Sequence, residues 1–83
     1  MVTITDIATL IARSPDTCGN RPRIAGTRVS VQQIVVLHQQ GLNPIKILQE
    51  YEHLNLAQVY AALAYYYANL PEIEAYLAEE MVE

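Results

Sequence analysis

Arg21, Arg23 and Arg28 are three of the five basic residues in an 83-residue chain whose formal net charge is −4. They sit in one short stretch, Arg21-Pro22-Arg23-Ile24-Ala25-Gly26-Thr27-Arg28-Val29-Ser30, punctuated by a Pro and a Gly. A guanidinium group pairs bidentately with a carboxylate or a phosphate. Three of them on a tight turn therefore make a device for gripping anions, either on nucleic acid or on a partner's acidic surface. The plainer alternative is a charged edge that deters strand-to-strand aggregation. The rest of the chain sharpens the contrast. Residues 1–30 carry a net +2, and residues 31–83 carry −6, with Lys46 set against seven glutamates. A polyanion is drawn to the first third and repelled by the remainder.

No other constellation argues for chemistry. Cys18 is the only cysteine, so an internal disulfide is ruled out, and nothing around it suggests a nucleophile. His38 and His53 are too far apart for the two-ligand spacing of a helical metal site. Glu72, Glu74, Glu79 and Glu80 read as a solvated helix face. There is no Ser-His-Asp arrangement and no phosphate-cradling glycine loop, so neither an enzyme nor a cofactor is expected. The N-terminus lacks a basic segment followed by an apolar run. The apolar stretch around Val59–Leu70 is shorter than the roughly 20 residues of a membrane span. A cytoplasmic protein without membrane attachment is the expectation.

The elements that must position the arginines can be read from turn and cap residues. Apolar residues make up 52% of the chain and charged ones 17%, a globular balance that argues against disorder. The length allows one domain, 1–83, near the lower limit for an unassisted core, so a homodimer or a partner would help. Thr3 to Ile11 mixes β-branched residues and reads as an extended start, with a short helix beginning at Thr5 or Asp6 as the alternative, and Ser14-Pro15-Asp16 reads as a turn. Arg23-Ile24 and Arg28-Val29-Ser30-Val31 form the arms of a β-hairpin around Ala25-Gly26-Thr27, with Ile24, Val29 and Val31 on one side and the arginines on the other. Ser30 and Gln33 make a capping box for a helix running to Gln40 and stopping at Gly41. Asn43-Pro44 opens a second helix ending near Tyr51. After a turn at Glu52-His53-Leu54, Asn55 and Gln58 repeat the capping box. The third helix carries Leu56, Val59, Tyr60, Leu63, Tyr66, Tyr67 and Leu70 on one stripe. Pro71 starts a fourth, with Ile73, Tyr76, Leu77 and Met81 as its apolar face.

The fold class is therefore mainly α. A β element (1–30) precedes a tri-helical, homeodomain-like helix-turn-helix (31–70), and a C-terminal helix (71–83) closes the chain. If the third helix enters a DNA groove, its outer face would be Ala57, Gln58, Ala61, Ala62, Tyr65 and Ala68. Gln58 would then be the base reader and Tyr65 a flanking contact. That face bears no Lys or Arg, although phosphate contacts come mainly from basic side chains. A helix apolar all round is normally buried instead. The candidate DNA- or partner-binding residues are Arg21, Arg23, Arg28, Gln58 and Tyr65.

The string Cys18-Gly19-Asn20-Arg21-Pro22-Arg23-Ile24-Ala25-Gly26-Thr27-Arg28-Val29 resembles the signature of the family called domain of unknown function four-three-three. Gly41-Leu42-Asn43-Pro44, Ile47-Leu48, Tyr51, Leu54 and Val59 to Tyr66 add to the likeness, which spans roughly residues 12–80. Asn20 stands where the family usually has Gly. The resemblance implies a homeodomain-like helix-turn-helix and an antitoxin-like role. Such a protein would mask a PIN-like ribonuclease toxin and could also bind its own promoter DNA. It also implies that Arg21, Arg23, Gly26 and Arg28 form the family loop. Alternatives from the residues alone are a stand-alone helix-turn-helix DNA-binding regulator and a structural dimerisation module.

Overall fold

A computed structural model describes residues 6–13 and 20–81, with side chains described through residue 79. The expected turn at Ser14-Pro15-Asp16, together with Cys18 and Thr3 to Thr5, lies outside the described residues. The architecture is mainly helical, with four helices and one small antiparallel strand pair near the N-terminus.

Residues 6–12 are less extended than their β-branched residues suggest. Asp6 accepts a hydrogen bond from the Ala8 N–H at 3.0 Å and caps a short 3-10 helix, Ile7–Leu10. Strand β1 (Ile11–Ala12) follows and pairs antiparallel with β2 (Arg23–Ile24), in the register Ile11 opposite Ile24 and Ala12 opposite Arg23. The anticipated second arm, residues 28–31, touches β2 only briefly. Ile24 N–H donates to the Val29 carbonyl at 2.9 Å, and Arg23 bridges Ser30. The arm ends there because Ser30 is the N-cap of the next helix. Its hydroxyl must turn to the Gln33 N–H at 3.1 Å, while the Gln33 side chain returns to the Ser30 N–H at 2.8 Å.

Helix α1 spans Val31–Gln39, α2 Pro44–Glu50, α3 Leu56–Ala68 and α4 Leu70–Met81. Gly41, with φ +94, ends α1 in the left-handed region that glycine adopts without steric cost. Asn43 caps α2 with Pro44 at its start, and Asn55 caps α3 through a second complete capping box. Two four-residue turns complete the frame. Leu54 N–H donates to the Tyr51 carbonyl at 3.0 Å between α2 and α3. Gly41 N–H donates to the His38 carbonyl at 3.0 Å between α1 and α2.

The core forms where α1 and α2 pack on α3, with β2 and α4 closing its sides. Ile24, Val31, Ile34, Val35, Ile47, Val59 and Ile73 are fully buried. Complete burial of an aliphatic side chain of this size contributes about 1.5–3 kcal/mol. On α3 the phase differs from the expected stripe. Val59 and Leu63 are buried as anticipated, but so are Ala61 and Ala62, which were assigned to the outer face. Tyr60 and Tyr67, assigned to the core, are 57% and 59% exposed. Small residues let neighbouring elements approach α3 closely, whereas a tyrosine ring can cover the rim and keep its hydroxyl bonded. The α4 face follows expectation: Ile73 is buried, and Tyr76 and Leu77 pack half-buried against the core.

Candidate functional site

The arginine segment owes its shape to backbone bonds. Thr27 N–H donates to the Ile24 carbonyl at 3.1 Å, closing a four-residue turn with Gly26, at φ +78, in its third position. Ala25 has no positive φ, so the turn is type II, which calls for glycine at that place. Thr27 reinforces it. Its hydroxyl donates to the Ile24 carbonyl at 2.8 Å and accepts from the Val29 N–H at 3.1 Å. Ile24, fully buried, and Val29, 7% exposed, anchor both ends in the core. Asn20 takes φ +62 just upstream, in the region where glycine is favoured and asparagine is tolerated.

This frame divides the three arginines into two groups. Arg21 turns inward. Its Nη1 donates to Gln32 Oε1 at 2.7 Å and its Nη2 to Glu79 Oε2 at 2.6 Å. The guanidinium carbon also sits 4.5 Å from the centre of the Tyr76 ring. Arg21 is thus a tether between the segment before β2, α1 and α4. Arg23 and Arg28, which also hold interactions within the chain, line one concavity of about 540 Å³ together with Gly26, Thr27 and His53. Arg28 is exposed and Arg23 half-buried.

His53 is the residue that sequence reasoning missed. It lies in the turn between α2 and α3, 25 positions beyond Arg28, and only the packing of that turn beside the arginine turn brings the two together. Its isolation from any metal-ligand spacing hid its place in the lining of the same depression. Among the described residues, no group of three or more His, Cys, Asp or Glu could hold a metal ion.

Gln58 and Tyr65 also have structural assignments. Gln58 Oε1 accepts from the Asn55 N–H at 2.8 Å, and Gln58 N–H donates to Asn55 Oδ1 at 2.9 Å, so this side chain takes part in the capping box of α3. Tyr65, expected on the outer face, is half-buried within a polar cluster. Its hydroxyl accepts from Arg13 Nη2 and donates to Glu72 Oε1 at 2.7 Å. Arg13 Nη2 also reaches Glu72 Oε2 at 2.6 Å, and the Tyr76 hydroxyl donates to the same oxygen at 2.8 Å. Burial works against ionisation of Glu72, but hydrogen bonds from Tyr65, Arg13 and Tyr76 outweigh it and hold the carboxyl below its ordinary value. Glu72, 26% exposed, is therefore drawn out of the solvated face that the spacing suggested, whereas Glu79 pairs with Arg21 and stays 63% exposed.

A second surface feature lies on the opposite kind of chemistry. Tyr60 and Tyr67 stand out from α3, and Ile45 and Leu56 are also exposed. Tyr67 is braced by a 2.9 Å contact between its hydroxyl and His38 Nε2 and by the Tyr66 ring, whose centre is 4.9 Å away.

A small helical domain with α2, a tight turn and a longer α3, bearing one basic depression beside that turn, is the class of protein these features define. The family model described as "Protein of unknown function (DUF433)" matches residues 11–66, and the chain belongs to that family. Its structure is similar to the crystal structure of a DUF433 member protein from Anabaena variabilis ATCC 29413, with 33% sequence identity, a TM-score of 0.79, and coverage of 84% of this chain and 69% of that one. No curated protein matches. The matched residues include Arg23, Gly26, Arg28 and His53, whereas α4, which holds Arg13 and Arg21, lies beyond them. Among the described residues, no helix is long and apolar enough to cross a membrane.

Proposed function

We propose that this chain is a non-catalytic, antitoxin-like regulator that binds and masks a PIN-like ribonuclease toxin. The observation that supports this most directly is the convergence of Arg23, Arg28 and His53 on one concavity of a domain with a formal net charge of −4. A nuclease of that type holds divalent metal with clustered carboxylates. Two guanidinium forks presented to such a cluster would compete with the metal for the same oxygens. The exposed Tyr60 and Tyr67 supply apolar area for the same contact, since aromatic side chains are enriched in the buried centres of interfaces.

Binding of promoter DNA is a second reading, favoured by the position of the basic depression at the turn between α2 and α3. The exposed positions of α3, Leu56, Ala57, Tyr60, Ala64, Tyr67 and Ala68, carry no cation. Any DNA contact would thus fall to the arginine turn and be steeply salt-dependent.

Co-expression with a PIN-like protein from the neighbouring reading frame tests the proposal. A complex should form and suppress ribonuclease activity, and the double variant Arg23→Ala, Arg28→Ala should restore that activity. Inhibition that survives in a folded double variant would overturn the arginine mechanism. Promoter binding that is lost in the same variant, with no complex formed, would favour the DNA reading.

A further inference from the structure

We propose that the outward face of α3 pairs antiparallel with the same face of a second copy of this chain, Tyr67 of each copy entering the concavity beside Tyr60 of the other. Self-association is independent of the toxin reading above, although it covers the two tyrosines given there to the partner. A toxin that uses them must first displace the second copy.

Charge singles out the occupant. Each copy carries a formal net charge of −4, so two copies repel wherever their glutamates come close. From Leu56 to Ala68 the sequence holds no Asp, Glu, Lys or Arg. Helix α3 is thus a neutral face on an acidic molecule, and a second copy can approach it without like-charge repulsion. The shape of that face supplies both halves of a contact. Tyr60 and Tyr67 are 57% and 59% exposed. Seven residues along a helix return to nearly the same side, about 10.5 Å further on. Ala64, also exposed, lies between them. Beside Tyr60 is a concavity of about 460 Å³, walled as well by Leu63 and by Leu42 and Pro44 from the entry to α2. His38 lines the same concavity and bonds the Tyr67 hydroxyl, so the second tyrosine stands at its edge. A twofold axis passing between Leu63 and Ala64 sets Tyr67 of each copy opposite Tyr60 of the other. The small side chain of Ala64 lets the two helices approach at that axis. A surface that carries its own complement meets the requirement of a twofold interface.

Tyr67 is also prepared for burial. Its hydroxyl lies 2.9 Å from His38 Nε2, its ring meets the His38 ring edge-on, and the Tyr66 ring is centred 4.9 Å away. The hydroxyl therefore has a partner before the ring leaves water, and the side chain loses little freedom on binding. Aromatic residues seated in a pocket near the centre of a contact supply most of its energy. One helix face is nevertheless a small interface, so the dimer is weak and exchanging rather than obligate. While it persists, α3 is held out of any DNA groove.

Sedimentation equilibrium of the full chain over a wide concentration range tests this, with no toxin present. A monomer–dimer equilibrium should appear, the dimer at twice the 9.3 kDa of one chain. Ala64→Glu sets like charges beside the axis and should leave a monomer, as should Ala64→Lys. An equimolar mixture of the two should regain the dimer at low ionic strength, because opposite charges then meet across the axis. Ala75→Glu, the same change at an exposed position of α4, should leave the dimer in place. Tyr67→Ala should raise the dissociation constant by about thirtyfold or more. Melting curves of each variant separate loss of pairing from unfolding. A monomer at every concentration would overturn the proposal and leave the face to a helix of a different protein. A dimer that persists in Ala64→Glu would place the interface elsewhere and overturn it too, as would a mixture of the two charge variants that stays monomeric. None of these measurements involves the toxin, so they fail or succeed separately from the antitoxin reading.

Discussion

Arg21 rests its guanidinium 4.5 Å from the centre of the Tyr76 ring, and its Nη2 reaches Glu79 one turn further along α4 at 2.6 Å. An arginine from the most basic segment of the chain is thereby spent on holding the last described helix. Arg21→Ala should lower stability without weakening partner binding. The ion pair is worth little, because Glu79 is 63% exposed. The cation–π contact contributes about 0.5–1 kcal/mol, and Gln32 Oε1, on a residue only 3% exposed, loses its donor. A loss of about 1–2 kcal/mol is expected, measured by chemical denaturation. A variant with unchanged stability and lost partner binding would instead make Arg21 a contact residue.

Glu72 makes stability pH-dependent at both ends. Its carboxyl is held below the ordinary 4.5, so the unfolded chain takes up protons first as pH falls. The contribution is fully present above about 4.5 and fades as pH drops through the lower, folded value. On the alkaline side, burial and then the bond to Glu72 push the Tyr65 hydroxyl up, and the bond to Glu72 and then burial do the same for Tyr76. Their contributions are present below pH 10 or so and are lost as pH rises through the folded values. In Glu72→Gln the melting temperature should vary less with pH at both extremes. A profile parallel to that of the unaltered chain would refute the linkage.

The capping box of α3 can be separated from any role in recognition. Asn55→Ala removes the acceptor for the Gln58 N–H and should cost about 1 kcal/mol. Gln58→Ala removes the return bond to the Asn55 N–H and should cost less, because that donor lies in an exposed residue and turns to water. Promoter-DNA affinity, if present, should be unchanged in Gln58→Ala at matched temperature. A sequence-dependent loss in mobility-shift assays would instead make Gln58 a base reader.

Backbone conformation predicts opposite outcomes at two positions. Gly26→Ala meets no steric neighbour, yet φ +78 disfavours any side chain, so a loss of about 1–2 kcal/mol is expected from strain alone. Asn20→Gly relieves φ +62 and should be nearly neutral or slightly stabilising, offset by the greater freedom of glycine in the unfolded chain. Thermal melts of the two variants check the contrast.

The helices were legible because their ends carry chemistry of their own. Ser30 with Gln33, Asn43 with Pro44, Asn55 with Gln58, and Gly41 each mark a terminus through bonds local to the chain. The phase of α3 was not legible. From Leu56 to Ala68 only Gln58 is strongly polar, so the helix offers little contrast to periodicity, and packing against α1 and α2 decides which alanines go inside. The pairing of Ile11–Ala12 with Arg23–Ile24 is too short for an alternating pattern to reveal. The fate of the arginines was legible in charge but not in geometry. Glu72, Glu79 and His53 reach them through tertiary contacts that no local motif encodes.

The tethers to α4 have a consequence for the order of assembly. Arg13 and Glu72 are 59 positions apart, and Arg21 and Glu79 are 58. At ribosomal speeds of about 5–20 residues per second, roughly 3–12 s separate the synthesis of Arg21 from that of Glu79. During that interval neither Tyr76 nor Glu79 can latch it, and until Glu72 is made Arg13 lacks its carboxylate as well, so the nascent chain first offers two more cations than the finished molecule does. Anything that engages the growing polypeptide meets a surface that the completed fold then withdraws.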